Sequence, residues 1–214
     1  MNKKIKDVKI LLWDVDGTLA SSDKLMPAIH NAQKRVIASA LDVDIEEATE
    51  LWLEQRKNFS STTQLTAFLI KKDPVETGIL IEQISQKWKV TPKDPKLVAM
   101  FGRLTKFTHY ICGNGTRDGI TKQLHAIGLD PNIFKKIIGI DVVGFPKPNL
   151  SMFQYVLSET KLPVAQHVMI GDRIDVDILP AHALGIQTCL IGPASDQADV
   201  SVPTIYDVEK MLIA

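Results

Sequence analysis

Five short apolar runs recur along the chain, at 8–13, 107–112, 136–140, 167–170 and 187–191. Most are continuous rather than alternating, which is the pattern of strands covered on both faces. Helical patterns separate the later runs. Residues 117–127 carry Ile120, Leu124 and Ile127 on one face and end at Gly128, a C-cap candidate. Asn149 is placed to cap a helix through Leu150, Phe153, Val156 and Leu157. Residues 174–184 read as a third helix, closed by Gly185. Strand and helix alternating in this way predict a doubly wound parallel α/β sheet.

The interval 21–93 breaks the alternation. It contains no convincing strand and shows helical spacing over 28–40, 45–57, 63–70 and 75–88, with Asp73-Pro74 as a break. It reads as a helical insertion after the first strand. Residues 94–105 then form a helix that returns the chain to the sheet.

Charge narrows the function classes. The 214 residues hold 25 Lys plus Arg against 25 Asp plus Glu, so no basic excess points to nucleic acid. The insertion is itself neutral, with ten residues of each sign, which favours a small substrate over a large polyanion. A hydrophobic fraction of 45% excludes a disordered chain. The apolar stretch near the N-terminus stops at Asp14, too early for a signal peptide, and no run is long enough to span a membrane. Cys112 and Cys189 form no CxxC and suit reduced, buried thiols in a cytoplasmic protein. Lys3, Lys4 and Lys6 read as a solvated tail. His109 and His125 fall in core-like patterns, His30 and His182 on helix surfaces, and Trp52 and Trp88 in the core of the insertion. Trp13 should pack beneath the residue that follows it.

That residue begins the sharpest motif, Asp14-Val15-Asp16-Gly17-Thr18, directly after the first strand. Carboxylates two apart on extended chain point to one side. They cannot both ionise cheaply unless a cation lies between them. One can then hold a hard metal and attack as a nucleophile while the other handles protons. Ligands of open parallel sheets bind beyond the carboxyl ends of the strands, where this motif falls. The second strand ends in Gly113-Asn114-Gly115, a turn able to offer N–H groups and an amide to an anion. Lys147 stands between two prolines after the third strand, as suits an ammonium held against an anion. The fourth strand ends in Gly171-Asp172, with Asp175 and Asp177 following. Asp14, Asp16, Asp172 and Asp177 against Lys147 leave three excess negative charges. A divalent cation is needed before such a site can accept a phosphate.

The four motifs, in this order, resemble those of the haloacid dehalogenase-like hydrolase superfamily, in its phosphatase branch. The resemblance covers residues 1–20 and 94–214 as an α/β core. It implies a Rossmann-like sheet of order 5-4-1-2-3, and it makes 21–93 similar to a C1-type helical cap. In that order Cys112 and Cys189 lie three strand spacings, about 14 Å, apart, too far for a disulfide. The implied activity is Mg²⁺-dependent hydrolysis of a small phosphorylated metabolite. Asp14 would attack phosphorus to give a phosphoaspartyl enzyme. Asp16 would protonate the leaving oxygen and then activate water. Mg²⁺ would be held by Asp14, the Asp16 carbonyl and Asp172, supported by Asp177 in preference to Asp175. Lys147 would stabilise Asp14 and the transferring charge, and Gly113 and Asn114 would bind phosphate.

One residue departs from the family pattern. Gly113 stands where a Ser or Thr is usual, and losing one charge-assisted hydrogen bond of about 1.5–3 kcal/mol implies activity lower by about one to two orders of magnitude. Thr116 is the nearest hydroxyl that could compensate. Two alternatives stay open at this point: a sugar phosphomutase of the same superfamily, and a weakly active or non-catalytic binding protein on the same fold. A dehalogenase is disfavoured because the resemblance assigns Asp16 to phosphate chemistry. Oligomeric state is not legible.

Overall fold

The computed structural model describes residues 5–213, so Lys3 and Lys4 lie outside the described residues. Five strands in chain order, β1 (Ile10–Trp13), β2 (Thr108–Cys112), β3 (Phe134–Ile138), β4 (His167–Gly171) and β5 (Gln187–Ile191), are joined at the edge by β6 (Val200–Val202). All pairings are parallel, in the order β3-β2-β1-β4-β5-β6. This is the expected doubly wound α/β sheet of order 5-4-1-2-3, extended by one strand.

The central strand shows why its sequence does not alternate. Leu11 and Trp13 enter the core on one face of the sheet, while Ile10 and Leu12 enter the core on the other. All four are buried, each contributing about 1.5–3 kcal/mol. Trp13 is opposite Ile111 on β2 and Ile170 on β4. That register brings the residues after β1, β2 and β4 to one edge. Cys112 and Cys189, separated by β1 and β4, are both free and buried.

Between β1 and β2 run α1 (Leu25–Leu41), α2 (Ile45–Gln55), α3 (Thr62–Ile70), α4 (Pro74–Ser85) and α5 (Pro95–Arg103). Polar caps fix their starts. Asp44 and Ser61 accept N–H groups of α2 and α3, while Asp73 and Asp94 do so for α4 and α5, each followed by proline at the first position. The first four helices close around a core of their own that includes Ile37, Trp52, Leu65 and Ile81. A 3-10 turn, Lys87–Val90, leads from α4 toward α5.

The second half adds α6 (Arg117–Ile127), α7 (Ile140–Val143), α8 (Ser151–Thr160), α9 (Leu179–Ala183) and α10 (Val208–Ile213). Several expectations need correction. β3 starts and ends two residues earlier than the apolar run suggests, because the Ile140 N–H turns to the Gly115 carbonyl at 3.0 Å and opens α7. The helix expected over 174–184 is a π-helical turn, Ile174–Ile178, followed by α9. β6 has no expected counterpart, since a three-residue edge strand interrupted by Ser201 leaves no apolar run. His125 is exposed, and His30 is half-buried against Trp52, with ring centroids 5.0 Å apart.

Candidate active site

Asp14 continues β1 by one residue, its N–H donating to the Ile170 carbonyl at 3.0 Å. The chain then folds back on itself. The Gly17 N–H donates to the Ala20 carbonyl and the Ala20 N–H to the Val15 carbonyl, both at 2.8 Å. Gly17 is required here. Its φ is +101°, and a Cβ would stand 2.5 Å from Asp172 Oδ2. Thr18 Oγ1 donates to Asp172 Oδ1 at 3.3 Å. The turn after β1 thus seats the acid that follows β4.

Lys147 is fully buried among these acids. Its Nζ donates to Asp14 Oδ1 at 2.8 Å and to Asp177 Oδ1 at 2.5 Å. Burial alone would lower its pKa, but Asp14 and Asp177 outweigh that and hold the ammonium above its ordinary range. Burial, then the charge of Asp14, pushes Asp172 up. Burial pushes Asp177 up as well, against the pull of Lys147. One lysine therefore under-compensates the cluster. Ligand atoms of Asp14, Asp172 and Asp177 lie within 4.8 Å of one another. An oxygen-only donor set with surplus negative charge suits a hard divalent cation such as Mg²⁺.

The π-helical turn separates the two later acids. Asp177 is buried, and its Oδ2 accepts from the Arg173 N–H at 3.1 Å. Asp175 faces outward and pairs with the Arg173 guanidinium at 3.0 Å. Asp177, not Asp175, is the one brought to Asp14 and Lys147.

The turn after β2 corrects two expectations. The Gly113 N–H donates to the Ile138 carbonyl at 3.1 Å, so it belongs to the sheet and is not open to an anion. A Cβ at this glycine would come within 3.0 Å of Ile120 Cδ1, so the position serves close packing of α6. The Asn114 amide is also engaged. Its Oδ1 accepts from the Lys147 N–H at 2.7 Å and its Nδ2 donates to the Lys147 carbonyl at 3.0 Å. The side chain thereby fixes the backbone that carries Lys147. The backbone N–H groups of Asn114 and Gly115 have no partner among the described residues, and both residues line the cavity. Thr116 does not replace a missing hydroxyl. Its Oγ1 donates to Glu82 and accepts from the Gly119 N–H at 3.2 Å.

A cavity of about 180 Å³ joins these groups. Asp14, Asp16, Asp172 and Asp177 form its floor, and Met26, Ile29, Thr63, Ile81, Glu82 and Lys87 are among the residues that wall it from the helical side. Glu82, Lys87 and Arg173 were not singled out by sequence reasoning. Glu82 Oε1 accepts from the Thr116 N–H at 2.7 Å, and burial is the main cause that pushes its carboxyl up. Lys87 Nζ meets Asp16 Oδ2. The Arg173 guanidinium donates to the Ser60 carbonyl at 2.9 Å. No sequence signal marks Lys87, because its partner lies on another element, and only the polarity of Glu82 after the apolar run Ile79–Ile81 hints at Glu82.

The haloacid dehalogenase-like hydrolase model matches residues 8–185. A Methanocaldococcus jannaschii protein named glyceraldehyde 3-phosphate phosphatase is 30% identical, over 90% of this chain and 89% of its own. A Colwellia psychrerythraea protein named phosphoglycolate phosphatase is 25% identical, over 86% of this chain and 84% of its own. Among solved structures, a HAD phosphatase from Thermococcus onnurineus superimposes with a TM-score of 0.69 at 22% identity, covering 96% of this chain and 98% of that one.

Proposed function

Because the chain belongs to the haloacid dehalogenase-like hydrolase family, we propose that it is a Mg²⁺-dependent phosphatase of a small phosphorylated metabolite. The observation that carries this reading is the convergence of Asp14, Asp172, Asp177 and Lys147 on one small cavity. In this reading residues 1–20 and 94–214 are the catalytic core, and 21–93 are a C1-type cap that closes the cavity. The names of the similar proteins support a substrate of three-carbon size or less. With its thiols buried and free, and no described helix long and apolar enough to cross a membrane, we place the enzyme in the cytoplasm.

Asp14 is the nucleophile. Its Oδ1 is held by Lys147, which leaves the other oxygen to attack phosphorus. Phosphoryl oxygens are received by the open N–H groups of Asn114 and Gly115, with no hydroxyl at Gly113. Asp16 protonates the leaving oxygen and later takes a proton from the water that hydrolyses the phosphoaspartate. The carboxylates of Asp14 and Asp172 and the Asp16 carbonyl would hold Mg²⁺, with Asp177 in support. When bound, the ion neutralises excess charge and polarises the phosphoryl oxygens. Lys147 keeps Asp14 and Asp177 oriented throughout.

The test is p-nitrophenyl phosphate hydrolysis with Mg²⁺, with EDTA, and in Asp14→Asn. We expect loss by a factor of about 10³ or more on chelation and in the variant. Activity in Asp14→Asn equal to wild type would overturn the mechanism.

A further inference from the structure

Lys87 occupies a position that no motif assigns. It follows α4 in the 3-10 turn on the return from the helical insertion, yet it is only 4% exposed. Its ammonium meets Asp16 Oδ2, and the two residues are 71 positions apart. The other oxygen, Asp16 Oδ1, is buried and has no hydrogen-bond partner among the described residues. Asp16 and Lys87 both line the cavity.

A hydrogen-bond relay fixes Lys87 to the core. Gln123 Nε2 on α6 donates to Thr91 Oγ1 at 2.7 Å. Thr91 Oγ1 donates in turn to the Lys87 carbonyl at 3.1 Å. Gln123 is fully buried, and Thr91 and Lys87 are nearly so. Holding a long, flexible side chain in one rotamer costs entropy, so a buried lysine tied at backbone and ammonium is a fixed fixture of the site.

We propose that Lys87 is a positioning residue for Asp16 in the second half of the reaction, an inference that rests on the phosphatase reading above. Lys87 holds Oδ2 and leaves Oδ1 as the one oxygen able to accept a proton. In that step a water oxygen bonds to phosphorus and the Asp14–phosphorus bond breaks, its electron pair returning to the Asp14 carboxylate. The proton of the water passes to Asp16 Oδ1. With Oδ2 tied to the ammonium, Oδ1 is the oxygen left without a partner, and this gives the proton transfer its direction. The first half-reaction depends on Lys87 much less when the leaving group needs no proton.

p-Nitrophenyl phosphate has such a leaving group, so rapid-mixing kinetics with it separate the halves. In Lys87→Met, we expect the first turnover to stay within about twofold of wild type while the steady state slows about tenfold, a share of the general-base factor. One p-nitrophenolate per enzyme then appears as a burst. Thr91→Val removes the relay without touching the ammonium and should give the same pattern, more weakly. First turnover and steady state slowed equally in both variants, or a steady state unchanged in Lys87→Met, would overturn the role of Lys87 alone. Undiminished turnover by Asp14→Asn would instead overturn the reading on which it rests.

Discussion

Next to Trp13, a histidine shows how a residue's state follows from its neighbours. Trp13 Nε1–H donates to His109 Nδ1 at 3.1 Å, and His109 Nε2–H donates to the Leu104 carbonyl at 3.1 Å. This pair of bonds requires the neutral ring. Burial is the main cause that lowers the His109 pKa, against the Leu104 bond that raises it. The unfolded chain therefore takes up this proton first as pH falls below about 6.5. The contribution of His109 to stability is full above that pH and is lost as pH drops toward the folded value. Urea denaturation at pH 7.5 and 5.5 should show a smaller acid-induced loss in His109→Phe than in wild type; an equal loss would refute the assignment. Sequence placed His109 in the core from its apolar neighbours. It could not show the tautomer, because Trp13 and Leu104 are brought to it by different elements. Asp14, Lys147 and Asp172 were legible for the opposite reason: each sits just beyond an apolar run or between prolines, so its place at the sheet edge is local information.

The elements that frame the site carry their own expected outcome. Gly119 lies within α6, where replacement by alanine would ordinarily gain about 1 kcal/mol in helix propensity. Here a Cβ would stand 2.2 Å from the Glu82 carboxylate. Gly119→Ala should displace Glu82 from Thr116, separating α4 from the start of α6. We expect it to lower the thermal midpoint rather than raise it, whereas a rise would show that the Glu82 contact is dispensable. The π-helical turn at Ile174–Ile178 is a second case, in which the element decides which acid reaches Asp14 and Lys147. Spacing alone reads 174–184 as one α-helix and leaves Asp175 and Asp177 as competitors. The wider turn buries Asp177 beside Lys147 and leaves Asp175 with Arg173. The wide turn is invisible to apolar periodicity because the π turn and the α-helix after it are only five residues each, too short to reveal a change of phase.

For the whole molecule, a cation that binds the folded acids but not the unfolded chain must add to stability. At a hundredfold excess over its Kd, Mg²⁺ should contribute about 2.7 kcal/mol. For a chain of this size that raises the thermal midpoint by roughly 5–10 °C. Calorimetry with and without Mg²⁺ checks this for wild type, and Asp172→Asn should remove most of the shift. An unchanged midpoint in wild type would count against a metal held by these acids. The parallel sheet, the helical insertion and the places of the four motifs were determined by the sequence itself, while the strand order was implied by the family resemblance. The first three rest on local patterns: continuous apolar runs, helical spacing, and polar residues at strand ends. Tertiary structure alone decided that the Gly113 N–H stays in the sheet, that Asn114 holds the Lys147 backbone, and that Glu82 and Lys87 reach across from the insertion. These contacts join residues many positions apart, and their energies depend on burial and register. Both arise only when the strands pair and, for Glu82 and Lys87, when the insertion packs against the sheet edge.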